Sequence, residues 1–514
     1  MVRPDVVLTR RVTRLVVATI PACFVAIFFV WPVVAIIARG ISFGGIADVV
    51  RDPVVRRIAW FTLWQAMTST AITVAVGLPV AGILARTDFP GRGFVQSLLM
   101  VPFVLPTIVV ATAFLALLPD GLHATATAVI IAHVYFNIAV VVRTVTPAWR
   151  DLDERLGDAA ATLGASPARR LRGVTLPLLR PAILSASGIV FLFTFTSFGT
   201  ALVLGGPRNR TLDVEIYRRT AQLLDLRGAA ALASLQLVAL AVLLTWSAHR
   251  QRATAVAARA RRPTRRRNRL ALVAIAPVIA FVLAPLVALA ARAGAWDNVT
   301  SPRGRGAIGA SLRTALIAGL LATIVGGLAA AALATTSQVT GLLDVVVMLP
   351  LGTSAVTLGF GMLITFNRAP FDLRGTWAII PVTHAVIGVP LVTRLALTAL
   401  RSVEGDQRNA AATLGARPAR VWWNVDWPVL RRPLMAGAGF AIAVSLGEFG
   451  ASLFLARRAS PTLPTLIGEL LGRPGALANE QAHALAVVLA VLAGGVLFVT
   501  DRWSERPDRP GAQS

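Results

Sequence analysis

Residues 158–181 read DAAATLGASPARRLRGVTLPLLRP, and residues 409–432 read NAAATLGARPARVWWNVDWPVLRR. At a constant offset of 251, 14 of these 24 positions are identical. The same offset pairs His133 with His384, Arg143 with Arg394, and Phe198-Gly199 with Phe449-Gly450; slightly shifted, Met100-Val101-Pro102 matches Met348-Leu349-Pro350. Self-similarity at a fixed offset means one unit written twice. Both copies run in the same direction, so the repeat is parallel rather than inverted.

Each copy predicts a helix–Gly–helix elbow. Asp151 to Leu163 can form a short helix, which Gly164 ends by supplying a left-handed residue. Ser166-Pro167 then opens a second helix, with Ser as cap and Pro in the first turn. In the second copy the helix runs from Ser402 to Leu414, Gly415 ends it, and Pro418 opens the next. Leu176-Pro177 and Trp427-Pro428 mark the approach to the apolar run that follows. Ala159, Ala160 and Ala161, with Ala410 and Ala411 in the second copy, offer a small-residue face for close docking. A hairpin packed only on its own neighbours would explain one such loop. Loops ordinarily vary more than the elements they join, so two closely matched copies point instead to a surface that another protein meets.

The apolar residues lie in long runs. The chain has 514 residues, 56% hydrophobic and only 14% charged. Runs predicting membrane spans lie near 15–38, 59–85, 94–118, 124–146, 182–204 and 229–249, then near 270–292, 311–335, 342–366, 378–400, 433–457 and 481–500. About 20 helical residues cross the hydrocarbon layer, where each backbone amide must be satisfied within its own segment or a closed barrel. No alternating strand pattern suggests a barrel. The expectation is an all-α membrane protein with about twelve transmembrane helices in two parallel six-helix halves. The units are 1–249, an arginine-rich linker at 250–269, and 270–514, with the elbow loops at 150–180 and 401–432. The first span follows Arg3, Arg10, Arg11 and Arg14 and is too long for a cleaved signal, so it reads as an anchor.

The net charge is +26, and all 50 basic residues are Arg. Nine of them fall between Arg250 and Arg269, where they suit a cytosolic linker held near anionic headgroups of membrane lipid rather than nucleic acid. Taken together, the 50 arginines are biased to the side that carries the elbows, which predicts that both termini lie in the cytosol. The loops at 39–58 and 205–228 work against this, since each holds several Arg on the opposite side. The one cysteine, Cys23, excludes internal disulfides.

The spacing Asp158-Ala159-Ala160 … Gly164 … Leu176-Pro177, recurring as Asn409-Ala410-Ala411 … Gly415 … Trp427-Pro428, resembles the EAA loop of ABC importer permeases of type I. Ser197 to Leu237 and Ala132 to Asn137 are similar to the fused permeases of the thiamine and iron(III) importers. The resemblance covers nearly the whole chain, with one permease unit per half. It implies an inner-membrane subunit that works with two copies of an ABC ATPase and an extracytoplasmic substrate-binding protein. The coupling residues would be Asp158, Ala159, Ala160, Gly164, Pro177, Asn409, Ala410, Ala411, Gly415 and Pro428. Two departures stand out. Asn409 lacks the charge of the family's Glu, which Asp158 retains, and Trp427 replaces the usual Leu.

No chemistry of bond making is legible. Without Lys there is no phosphate-binding Walker loop, so ATP would be used by the partner ATPase, and the chain itself carries no cofactor. His123, His133, His249, His384 and His483 are scattered, and neither a zinc motif nor a nucleophile turn occurs. No catalytic or metal-ligating residue is expected. Four polar residues inside the apolar runs are candidates for the substrate path: Ser197, Glu448, His133 and His384. Glu448 reads as mid-helix, where a charge costs roughly 2.5–3.5 kcal/mol. His133 and His384 also fit interhelical hydrogen bonding, and Arg143 and Arg394 sit near span ends where their heads can reach the interface. A secondary transporter of the major facilitator type would share the span count and the parallel halves. Its repeated cytosolic motif would fall between the second and third spans of a half, whereas here it falls between the fourth and fifth.

Overall fold

The computed structural model describes residues 17–41, 45–252, 266–267, 270–334, 338–367, 372–373, 376–403, 405–457 and 459–505. The N-terminal arginines, most of the linker and the C-terminal tail lie outside the described residues, as do the anchoring roles expected of them. The first half contains α1 (Val17–Ile41), α2 (Gly45–Arg51), α3 (Pro53–Arg86), α4 (Arg92–Val104), α5 (Thr107–Leu117), α6 (Ala126–Arg150), α7 (Glu154–Thr162), α8 (Pro167–Phe195), α9 (Gly199–Leu204), α10 (Leu212–Ala221) and α11 (Leu226–Arg252). The second contains α12 (Leu270–Ala291), α13 (Pro302–Leu333), α14 (Gln338–Met348), α15 (Ala355–Thr365), α16 (Ile379–Ser402), α17 (Gly405–Thr413), α18 (Trp422–Gly447), α19 (Gly450–Leu455), α20 (Leu463–Leu471) and α21 (Ala476–Glu505). Thr87–Asp88 (β1) pairs in parallel with Arg266–Arg267 (β2), so the linker's end meets the turn after α3.

Ten described helices are long and apolar enough to cross a membrane, or up to 12 if two bent pairs are each one span. These two pairs fall on the apolar runs at 94–118 and 342–366. The first pair, α4 and α5, bends by 102°. Pro106 has no N–H to continue the ladder and forces Leu105 into an extended conformation, φ −69 and ψ 139. In the second half the bend is 108°, with Pro350 in the tight turn Leu349–Gly352. The second span of each half also starts earlier than its apolar run suggests. Asp52 caps α3 and Ser301 caps α13, each followed by a proline in the first turn.

The described residues divide into two compact units, and these do not follow the sequence halves throughout. One comprises α2 to α12 with Ala482–Ala484; the other comprises α1 and α13 to α20 with the rest of α21. The halves have exchanged their first spans. Within the second unit, α1 lies on α15: the Phe366 ring is 5.6 Å from both Phe28 and Trp31, and Arg39 Nη1 donates to the Ile364 carbonyl at 3.4 Å. Within the first unit, α12 lies on α5 and α6, with Phe281 5.7 Å from Tyr135 and the Tyr135 hydroxyl donating to the Val282 carbonyl at 3.3 Å.

Inside each unit the same close approach recurs. A Cβ on Gly77 would stand 2.7 Å from Val141 Cγ1, and one on Gly326 2.8 Å from Val392 Cβ. Small residues let membrane helices gain dispersion contacts where no hydrophobic drive exists between them. The equivalence of these contacts confirms that the repeat is one of packing as well as of sequence.

Candidate functional site

The elbows form as their local chemistry dictates. In the first, Asp153 accepts from the Arg155 N–H at 3.0 Å and starts α7. Gly164, at φ +79, ends it, with Gly164 N donating to Ala161 O at 2.9 Å and Ala165 N to Ala160 O at 3.0 Å. This reciprocal pair satisfies the last carbonyls of the helix. Gly415 takes φ +80, and Ala416 N donates to Ala411 O at 3.0 Å. Ser166 accepts from Arg169 N at 3.3 Å, as a cap should. The expected first helices are shorter than read, Glu154–Thr162 and Gly405–Thr413.

Pro177 and Pro428 act through the turn before them. Each lacks an N–H, and its ring crowds the carbonyl four residues back. The helix responds with a widened π-type turn at Leu171–Thr175 and at Trp422–Asp426. On the elbows Asp158, Ala159, Asn409 and Ala410 are exposed, whereas Ala160 and Ala411 are half-buried. Leu163 and Leu414, which the sequence reading did not single out, are each 88% exposed at the elbow tips. The signal was available, since both stand in the repeat immediately before the glycine.

The four path candidates gather at helix breaks. The fifth apolar run of each half is not one span: α8 ends at Phe195 and α9 restarts at Gly199, while α18 ends at Gly447 and α19 restarts at Gly450. In the first half His133 Nε2 lies 2.7 Å from Ser197 Oγ and 3.0 Å from Thr200 Oγ1. In the second, His384 Nδ1 lies 2.8 Å from Ser445 Oγ and Nε2 3.0 Å from Ser452 Oγ. Both imidazoles are buried and clamp a break to the preceding span. Among the described residues no three His, Cys, Asp or Glu side chains converge to hold a metal ion.

Glu448 is therefore not at mid-helix. It closes α18, and its Oε1 accepts from Ala451 N at 3.1 Å. Side chains that can bond the nearby backbone compete with helix continuation, which accounts for the break. Of the paired arginines, Arg143 is exposed, and Arg394 Nη2 reaches Asp344 at 3.9 Å.

A charged cluster around α10 escaped the sequence reading. Glu215, whose side chain is 0% exposed, takes two bonds from Arg218 at 2.9 and 2.7 Å and one from Arg219 at 3.2 Å. Arg210 stands 3.5 Å away, and Arg219 also pairs with Asp52 and Asp225. Burial pushes the Glu215 carboxyl up, but its arginine partners outweigh that and hold it below the usual glutamate range. The signal was the spacing of Glu215 with Arg218 and Arg219 along a helix face.

With this geometry in place, comparison with known proteins is informative. Residues 74–253 match the family "Binding-protein-dependent transport system inner membrane component". The thiamine transport system permease protein ThiP of Brucella abortus (strain 2308) is 28% identical over 481 residues, covering 88% of each chain. ThiP of Escherichia coli (strain K12) is 25% identical over 515 residues, covering 93% of each. The molybdenum transport system permease protein ModB of Mycobacterium bovis is 31% identical over 241 residues, covering 44% of this chain and 90% of its own length. One half of the present chain thus corresponds to nearly a whole ModB, as the duplication requires. These matches carry the ATP-driven reading over the facilitator, and they identify a transport component rather than an enzyme. The chain belongs to the family of binding-protein-dependent transport system inner membrane components, as a fused, two-halved permease of an ABC importer.

Proposed function

We propose that the chain is the thiamine-translocating subunit of its importer. The observation that carries this reading is that ThiP relatives cover both halves, 88% of this chain in the Brucella abortus comparison, whereas ModB aligns with 44% of it. In this reading a binding protein delivers thiamine on the outer side. Two ATPase copies dock on the elbows, one through Asp158, Ala159, Ala160 and Gly164 and the other through Asn409, Ala410, Ala411 and Gly415, while Pro177 and Pro428 shape the turns behind them. ATP is bound and hydrolysed by those partners, which bias a two-state permease. Both termini and the arginine-rich linker face the cytosol, the linker against anionic lipid.

The path would pass the helix breaks at Ser197 and Glu448, positioned by His133 and His384. A carboxylate there suits thiamine, whose thiazolium ring carries a fixed positive charge, and repels an oxyanion. The deciding measurement is ATP-dependent uptake of labelled thiamine into proteoliposomes holding the permease, its ATPase and its binding protein. Iron(III) and molybdate serve as the competing substrates. Uptake of either in place of thiamine would overturn the assignment.

A further inference from the structure

The two elbows are not held in the same way. In the second half Arg408, on α17, donates from Nε to Asp426 Oδ1 at 2.7 Å and from Nη2 to the Leu400 carbonyl at 3.1 Å. One guanidinium therefore joins the last turn of α16, the elbow helix and the turn that opens α18. The Asp426 side chain is 12% exposed and that of Arg408 34%, so the pair is partly shielded from the water and salt that weaken surface ion pairs, and a charge-assisted bond of this length is among the stronger ones.

At the offset of 251 the first-half equivalents are Gly157 and Thr175, which cannot make this pair. There α7 is held at its start by the Asp153 cap. Among the described residues no side chain of α7 is seen to hydrogen-bond the equivalent turn of α8, Leu171–Thr175. Among these residues the first elbow is joined to its span through backbone and packing, and the second has the Arg408–Asp426 cross-brace in addition.

We infer that Arg408 and Asp426 form a strut, present in the second half only, that makes the second elbow and α18 move as one body and so carries elbow displacement to the helix end at Glu448. The inference rests on the coupling role proposed for the elbows and deepens it by naming how one of them drives its half. Helix α18 runs unbroken from Trp422 to Gly447, about 39 Å at 1.5 Å per residue, and Glu448 is the residue that closes it. A stiff rod braced at its base delivers a rotation of the elbow to its far end. An unbraced elbow can pivot at its left-handed glycine instead. Arg408 and Asp426 are thus positioning residues, and the drive is asymmetric.

The test uses the whole importer in proteoliposomes, with uptake and ATP hydrolysis measured together. For Arg408→Gln and Asp426→Asn we expect ATPase co-purification as in the unaltered chain, while thiamine imported per ATP hydrolysed falls about fivefold or more. A purely structural defect would lower uptake and hydrolysis together and leave their ratio unchanged. The charge-exchanged variant R408D/D426R should restore most of the ratio, and Gly157→Ala with Thr175→Ala in the first half should not change it. Unaltered stoichiometry in both single variants, or an exchanged variant no better than R408Q, would overturn the strut. An unaltered permease that captures no ATPase would instead overturn the coupling reading, and the strut with it.

Discussion

Leu463 donates its backbone N–H to the Ser311 hydroxyl at 2.7 Å. In the first half Leu212 makes the same bond to Thr62 at 3.0 Å. In each half a hydroxyl on the long second span thus satisfies a donor at the start of a short helix, α20 or α10, that cannot reach water. Ser311→Ala leaves that buried N–H unpaired, which costs roughly 1–3 kcal/mol. The expected result is a lower thermal midpoint in detergent with membrane insertion intact, and Ser311→Thr should retain most of the stability. An unchanged midpoint for Ser311→Ala would remove the hydroxyl from the account.

The Glu215 cluster makes a prediction about pH. Its arginine partners lower the carboxyl pKa in the folded chain despite burial. A carboxylate shifted in this direction contributes stability that is complete above roughly pH 4.3, the unfolded value, and is lost as pH falls through the folded value. Glu215→Gln should therefore destabilise the chain at neutral pH, toward the lower end of roughly 3–5 kcal/mol because its arginines are partly exposed. The gap between the thermal midpoints of parent and variant should narrow below pH 4. A gap that stays constant from pH 7 to pH 3 would assign the effect to shape rather than charge.

Gly164 and Gly415 hold positive φ, and a Cβ on either meets nothing within 4 Å. A side chain there is penalised by backbone conformation alone, by roughly 1–2 kcal/mol and more for a β-branched one. Gly164→Val and Gly415→Val should weaken capture of the ATPase while the permease still inserts. Gly173→Ala, equally open but without positive φ, should not. Because Asn409 lacks the charge of Asp158, the larger loss is expected from the first elbow. Equal losses would remove the asymmetry of docking.

Leu163 and Leu414 lose little by truncation within this chain, since each is 88% exposed. Burying a leucine in a partner contributes about 1.5–3 kcal/mol. Leu163→Ser and Leu414→Ser should each weaken ATPase binding by roughly tenfold or more, with unchanged permease stability. Affinity equal to the parent's would place the contact elsewhere on the elbow.

Glu448→Gln keeps an oxygen for the Ala451 N–H and removes only the charge. Thiamine uptake should fall while ATPase capture and stability hold. Full uptake would show that the carboxylate serves only to open α19, and loss of assembly would make it structural.

The residues that were readable in advance are those whose partners are close in sequence. Gly164, Gly415, Ser166 and the two prolines act within five positions of themselves, so capping rules place them, and the repeat locates them twice. The span count follows from the same locality, because hydrocarbon thickness sets how long an apolar run must be. Glu448 was misplaced because an apolar run does not announce a break made by one side chain bonding the next helix. The exchange of α1 and α12 between units, the His384 clamp and the bond from Leu463 to Ser311 belong to the tertiary structure alone. Apolar helices are interchangeable in hydropathy, and lipid is as apolar as they are. Which helix neighbours which is therefore decided by shape and by a few polar contacts between residues far apart in the chain.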